Sequence, residues 1–230
     1  MTKASGRPGD RVVKVGLVGT PGAGKEAVVR AVAERFAGSL VRAGEIGGGK
    51  VARTEFVGPK ELPGGGRLTV RLCAVSGQPF YNAVSELVLA GADGVVFAVS
   101  LARDRRDAAR DALQALAVNA WENGLDLAVL PAALLYYRPV PAPCLAAGEM
   151  DRWLGIPTGS VARFVSGPGE VANLLAPVAS VVGEIENRAV GRSHAPRTGA
   201  AKTEPTQKAK RTKTVRRKKR RRACPGVESR

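Results

Sequence analysis

Histidine is almost missing from this chain: of 230 residues only one, His194, is a histidine. It stands near the C-terminal end, so histidine-based proton transfer or nucleophile activation is excluded from residues 1–189. Cysteine is equally sparse. Cys73, Cys144 and Cys224 are odd in number, far apart and in no C-x-x-C pair, which argues against a disulfide framework or a zinc site and fits a reducing compartment. No long apolar run exists, because the longest, Leu87–Leu101, is broken by Asp93. That excludes a transmembrane segment, and the polar stretch Met1–Asp10 does not read as a signal peptide, so a cytoplasmic location is expected. Aromatic residues make up 4% of the chain, and residues 190–230 contain none. Stacking on nucleic-acid bases is therefore unavailable to that segment.

The abundance lies in positive charge, and it is unevenly placed. Residues 1–189 carry 21 basic and 18 acidic side chains, a net of +3, whereas residues 190–230 carry 15 basic and 2 acidic, a net of +13. The sequence therefore divides into a short polar N-terminus (1–10) expected to be disordered, a nearly neutral body (11–189) and a cationic tail (190–230). A body of that length suits one domain with a full core.

Within the body, apolar runs alternate with helical patterns. Arg11–Val18, Val51–Val57, Leu68–Val75, Gly94–Ser100, Leu127–Tyr137 and Val161–Val165 read as strands, with Pro131 near the start of the fifth. Pro63 and the three glycines after it suggest a hairpin between the second and third. Helical spacing covers Glu26–Ala37, Tyr81–Ala90, Arg103–Asn123 and Val171 to about Asn187. The alternation predicts an α/β fold: a mostly parallel six-stranded sheet covered on both faces by five helices, with the second strand antiparallel at its edge.

Gly19–Glu26 reads G-T-P-G-A-G-K-E, close to the phosphate-loop pattern G-x-x-x-x-G-K-[ST], between a buried strand and a helix. Glycines such as Gly19, Gly22 and Gly24, with the small Ala23 between, let successive backbone N–H groups approach phosphate oxygens. The start of the helix adds its positive dipole end, and Lys25 supplies a point charge. Without a ligand the same residues would make a glycine-rich strand–helix turn. Glu26 departs from the pattern, which places a neutral hydroxyl there for Mg²⁺. A carboxylate is a Mg²⁺ ligand, but at about 4–5 Å it repels phosphate by about 3–4 kcal/mol at an effective dielectric near 20 unless the metal intervenes. Weaker nucleotide binding, or binding less dependent on Mg²⁺, is expected.

The segment A-V-S-G-Q-P-F-Y-N (Ala74–Asn82), followed by S-E-L-V-L-A-G-A-D-G-V-V-F-A-V, resembles the second switch and next strand of the bacterial Ras-like small GTPases of the gliding-motility and cell-polarity (MglA) type. The resemblance spans roughly residues 12–187 and is most specific at G-Q-P-F-Y-N and A-D-G-V-V-F. It implies a P-loop NTPase of the Ras-like three-layer αβα sandwich class that binds GTP or GDP with Mg²⁺ and meets a protein partner through its switch regions. It further implies that Gly77 donates a backbone N–H near the terminal phosphate and that Gln78 orients attacking water. In V-A-R-T-E-F, the resemblance makes Arg53 an internal finger on transition-state charge and brings Thr54 toward the metal beside Glu26. Read without the family, Arg53 is an exposed strand residue. Ala74 and Ser76 replace the family's Thr and Pro.

Base recognition is where the pattern departs most. The family's N-K-x-D corresponds here to Tyr137-Arg138-Pro139-Val140. The lost aspartate would have accepted hydrogen bonds worth about 1.5–3 kcal/mol each from guanine. Tyr137 retains the ability to stack on a base beside Arg138, but guanine specificity is not expected. Three readings stay open. One is a degenerate Ras-like GTP-binding switch or adaptor with impaired or absent hydrolysis. Another is a nucleotide-free pseudo-GTPase acting as an interaction module. The third is an ATPase or small-molecule kinase, disfavoured because Leu68–Val75 ends without an aspartate for the metal.

The tail contains seven consecutive cations, Arg216–Arg222, and Lys/Arg alternation from Lys208. Mutual repulsion and the lack of an apolar face predict disorder. Residues 208–222 are expected to bind a polyanion (nucleic acid, anionic lipid or an acidic protein) electrostatically and without sequence preference.

Overall fold

The body is built around β1 (Arg11–Gly19), whose inner residues are buried on both faces. Val13, Val15 and Leu17 enter one apolar cluster and Val18 the other, so this strand lies at the centre of a covered sheet. In the computed structural model, residues 9–36, 39–46, 49–62, 65–76 and 87–193 are described; for 39–50, 76 and 191–193 only the backbone is. The remaining strands are β2 (Ser39–Ile46), β3 (Gly49–Glu61), β4 (Arg67–Ser76), β5 (Gly94–Ser100), β6 (Ala132–Tyr137) and β7 (Ala162–Ser166). They form one sheet in the order β2-β3-β4-β1-β5-β6-β7. β3 runs antiparallel to β2 and β4, and every other pairing is parallel.

Helices α1 (Lys25–Arg35) and α4 (Val171–Ser193) cover one face, through Val28, Val29 and Val32 and through Leu174, Val178 and Val181. Helices α2 (Arg106–Glu122) and α3 (Ala147–Leu154) cover the other, through Ala109, Leu116 and Met150. The result is an αβα sandwich, the fold class expected. All seven residues of β5 are buried, which is why G-V-V-F-A-V-S lacks the alternation of a half-exposed strand.

Several details differ from expectation. All six expected strands are present, but β2 adds a seventh and takes the edge, leaving β3 paired on both sides. β6 begins at Ala132 and not at Leu127, because Pro131 offers no N–H to the ladder and residues 127–130 form a turn before it. The helix over Ala147–Leu154 was not among those located in the sequence; its start is held by Ala146 N–H donating to Glu149 Oε2 at 2.8 Å. Of the expected helix Tyr81–Ala90, residues 87–89 are helical and 81–86 lie outside the described residues. So does the tail from His194 onward, with residues 208–222.

A polar knot ties β6, α3 and β7 together. The buried Tyr136 hydroxyl donates to Asp151 Oδ1 at 2.5 Å, and Arg163 Nε donates to both Asp151 oxygens at 3.0 Å. Arg163 also donates to the carbonyls of Val161 and Pro157 at 2.9 and 2.7 Å. Burial, reinforced by the Asp151 bond, pushes the Tyr136 hydroxyl well above its ordinary pKa. Trp153 fastens α3 to α2, with the Arg106 and Arg110 guanidinium groups 4.3 and 4.1 Å from its ring centroid. Removing Asp151 strands an arginine and a tyrosine hydroxyl in the interior. Asp151→Ala should therefore cost about 3 kcal/mol or more in urea unfolding, and a loss below about 1 kcal/mol would show that the knot is not structural.

Candidate functional site

The parallel strands β1, β5, β6 and β7 all end at one edge of the sheet, and loops following such ends form the usual crevice for ligands in this architecture. The loop after β1 is fastened there. Thr20 N–H donates to the Ala98 carbonyl at 3.0 Å, and the fully buried Thr20 hydroxyl accepts the Ser100 N–H at 2.8 Å. Gly19, at φ 133°, passes so close to β5 that a Cβ would sit 1.9 Å from the Ala98 oxygen. The root of the loop is therefore fixed by the sheet.

Beyond that root, Gly22 and Gly24 both have φ of 72°, the left-handed region that favours glycine. Gly24 is the N-cap of α1, and no side chain caps the helix. The N–H groups of the first turn are thus directed at the crevice without a side-chain acceptor, the arrangement that suits an anion. Ala23 is buried beneath the loop. Lys25 folds back so that Nζ donates to the carbonyls of Gly19 at 3.0 Å and Thr20 at 2.5 Å, and the residue is only 5% exposed. Burial lowers its pKa to about 8, a shift that Glu26 partly opposes. Two of the three ammonium donors are used by the loop, which leaves one for an oxygen of a bound anion. Glu26 is exposed at the head of α1.

Tyr137, at the end of β6, closes the loop from the side. A Cβ on Gly24 would lie 2.6 Å from its Cδ2, so the ring rests directly on the loop backbone. The next residue, Arg138, turns to the loop after β7: its Nη2 donates to Glu170 Oε1 at 2.8 Å, and its backbone N–H donates to the Ser166 carbonyl at 2.8 Å. Glu170 also accepts the Gly167 N–H at 3.1 Å and the Asn173 amide at 3.0 Å. The Asn173 bond is the main cause of its lowered pKa, with Arg138 contributing. Val140 is 75% exposed, an apolar side chain standing in solvent.

The sheet thus gathers Gly19, Gly22, Ala23, Gly24, Lys25, Glu26, Tyr137 and Arg138 at one edge. It does not bring Arg53 or Thr54 there. Thr54 pairs with Leu72, which pairs with Val15, four residues before Gly19. That is roughly 13 Å along the strands and about 10 Å across them. Its hydroxyl is fully buried and has no hydrogen-bond partner among the described residues. Arg53 pairs with Cys73 and so lies level with Gly16; its Nη2 stands 3.8 Å from Glu55 Oε1. Pairing with β2 on one side and β4 on the other holds this stretch of β3 within the sheet, away from the loop. At the loop end of β3 stand Gly49 and Lys50, the latter opposite Ser76. Gly77 and Gln78 lie outside the described residues.

Sequence reasoning missed Thr20, Ser100 and Glu170. Thr20 had a signal, as the hydroxyl residue following the first loop glycine. Glu170 had a fainter one: an acid at the start of a helix, directly after S-G-P-G. Among the described residues no group of three His, Cys, Asp or Glu side chains could hold a metal by itself. Mg²⁺ bound with a nucleotide needs only one or two protein ligands, the rest being phosphate and water. The uncapped α1 and the remaining Lys25 donor fit a polyphosphate. Of the two expected metal ligands, only Glu26 stands at the loop.

No protein-family model matches the chain. Over 83 residues it is 38% identical to the mutual gliding-motility protein MglA of Myxococcus xanthus, a match covering 36% of this chain and 43% of that protein. This is a distant, MglA-like relation over part of each sequence. No described helix is long and apolar enough to cross a membrane.

Two outcomes follow from the loop geometry. Gly24→Ala should destabilise the fold by about 1–3 kcal/mol through its left-handed φ alone, and Tyr137→Ala in the same chain should recover the part due to ring contact; urea unfolding of the double-mutant cycle separates the two. The unfolded chain holds the Lys25 proton up to near 10.5, whereas the folded chain releases it near 8. The unfolded state therefore binds more protons across that window, and the contribution of this residue to stability rises as pH is raised through it. Wild type should gain stability relative to Lys25→Met between about pH 7.5 and about pH 9.5, and parallel pH curves would contradict the assignment.

Proposed function

We propose that this protein is a small GTPase-like nucleotide-binding switch or adaptor with impaired or absent GTP hydrolysis, acting in a polarity or motility system of the MglA kind. The observation that carries this reading is the loop of residues 19–26, where a buried Lys25 with one free donor faces an uncapped helix start. In this role the backbone N–H groups from Gly22 to Glu26 and the Lys25 ammonium hold the β- and γ-phosphates of GTP or GDP. Tyr137 and Arg138 border the base. Mg²⁺, held through Glu26 and the phosphates, would neutralise phosphate charge. Slow turnover follows from the placement of Arg53, whose guanidinium sits mid-strand beside Glu55, and from the Thr54 hydroxyl buried in the core. Gln78 is then the remaining candidate for orienting water, and the switch segments are the candidate surface for a protein partner.

A second reading is favoured by one specific feature. At the base-recognition position, Val140 is exposed and Arg138 is engaged by Glu170. A carboxylate for guanine is replaced by an ion pair that the protein satisfies internally. That supports a nucleotide-free interaction module, with the basic tail at residues 208–222 attracting a polyanion.

Thermal unfolding with GTP, GDP and ATP, each with and without Mg²⁺, separates the readings. Ligand at about 100 times Kd should add about 2.7 kcal/mol of stability. A shift with guanine nucleotides that Lys25→Ala removes supports the switch. No shift with any nucleotide leaves the interaction module, and a shift with ATP alone points to an ATPase or kinase. In the first case Glu26→Thr should increase the dependence on Mg²⁺.

A further inference from the structure

At the end of α2 an indole stands in solvent. Trp121 is 84% exposed, more than any other large apolar side chain among the described residues, with Val118 at 46% and Val129 at 60%. A groove of ≈ 570 Å³ opens beside the ring, lined by Ala117, Trp121, Gly124, Leu125, Asp126 and Leu127. Its backbone is firmly held. Gly124, at φ 67°, closes the helix: its N–H donates to the Trp121 carbonyl at 3.0 Å, and the Leu125 N–H donates to the Ala120 carbonyl at 2.8 Å. Asp126 Oδ1 then accepts the Ala128 N–H at 2.9 Å, and the Asp126 carbonyl accepts the Leu130 N–H at 2.9 Å. Trp121 is thus presented by a fixed chain reversal and not by a frayed helix end.

The charge at this end is one-sided. From Asp111 to Tyr137 the sequence holds three acidic residues and no lysine or arginine, in a chain that has 36 of them. The last turn of α2 carries no basic residue, so Glu122 adds to the negative end of the helix dipole, where a cation would offset it. Asp126 places a further carboxylate in the groove wall. The adjoining depression has Arg11 and Arg188 in its wall together with Asp93, and Arg188 is already taken by the Val129 carbonyl and Glu184. The other tryptophan shows what such a ring takes in this protein. Trp153 is stacked by the Arg106 and Arg110 guanidinium groups at 4.3 and 4.1 Å, whereas no cation stands over Trp121 among the described residues.

We propose that this groove is a docking surface for an arginine-rich segment of a partner protein. A guanidinium lies over the Trp121 ring, its charge is met by Glu122 and Asp126, and a neighbouring apolar side chain packs against Leu125 and Leu127. Arginine suits the ring better than lysine, because its planar group stacks and is less strongly hydrated. Tryptophan and arginine are also the residues on which protein interfaces concentrate their energy. An anionic lipid surface or a nucleic acid is repelled by the same carboxylates. The groove precedes β6 and so opens at the edge of the sheet opposite the phosphate loop, and the proposal does not rest on nucleotide binding.

The test uses the full chain and two fluorescently labelled peptides of equal length, one alternating arginine with leucine and the other lysine with leucine, titrated by anisotropy. The arginine peptide should saturate and bind about fivefold tighter than the lysine peptide, the margin expected of a guanidinium on an exposed indole. Trp121→Ala should bring that ratio close to one; the side chain is so exposed that the variant should fold. Because the ratio is read within each protein, competition common to both peptides cancels. Glu122→Gln combined with Asp126→Asn, which keeps an oxygen for the Ala128 N–H, should weaken both peptides about fivefold. No saturable binding, an arginine preference that survives Trp121→Ala, or affinities unmoved by the double variant would each overturn the proposal. So would binding of phosphatidylserine vesicles that Trp121→Ala removes, which would assign the face to a lipid surface.

Discussion

The Lys25 ammonium is buried against the carbonyls of Gly19 and Thr20, and the edge of the sheet is arranged around that contact. A cation in so dry a place needs acceptors, and among the described residues it bonds the carbonyls of its own loop. The first of those carbonyls belongs to Gly19, whose φ of 133° lies in a region that few other residues tolerate. Turning the carbonyls inward leaves the N–H groups of the helix start facing the crevice. Charge, loop curvature and anion-binding capacity are therefore one property seen from three sides.

Around this centre the differences from active phosphate-loop enzymes fall into a spatial pattern. The residues that match the phosphate-loop pattern, the glycines, Lys25 and the buried Ala23, stand together at the loop. Groups that would complete the chemistry or read the base are displaced or substituted. Thr54 and Arg53 sit within a strand paired on both sides. The position of a base-reading carboxylate holds Val140, while the nearby carboxylate, Glu170, is committed to Arg138, Gly167 and Asn173. The loop keeps the form of the phosphate-loop pattern, and the side chains around it bond to one another.

How much of this was legible in the sequence depends on the range of the interaction. The loop was legible because its glycines answer a local demand for positive φ, visible in the spacing alone. β5 was legible as an unbroken apolar run, since both of its faces are covered. β2 was not: S-L-V-R-A-G-E-I is interrupted by glycine and becomes a strand only through pairing with β3. The distance of Arg53 and Thr54 from the loop has the same origin. Motif alignment assigned them roles, but register against β4 decided where they stand, and nothing in V-A-R-T-E-F encodes register. The Arg138–Glu170 bridge joins residues 32 apart in sequence, beyond any local signal.

The hydroxyl of Thr20 has a consequence for how the molecule breathes. Where β1 and β5 diverge, a side-chain oxygen takes the Ser100 N–H that a neighbouring strand would otherwise hold. The ladder is in effect lengthened by one rung made from a side chain. The base of the loop therefore belongs to the same cooperative unit as the central strands, and its amide hydrogens should exchange with solvent on the timescale of sheet opening, not of loop fluctuation.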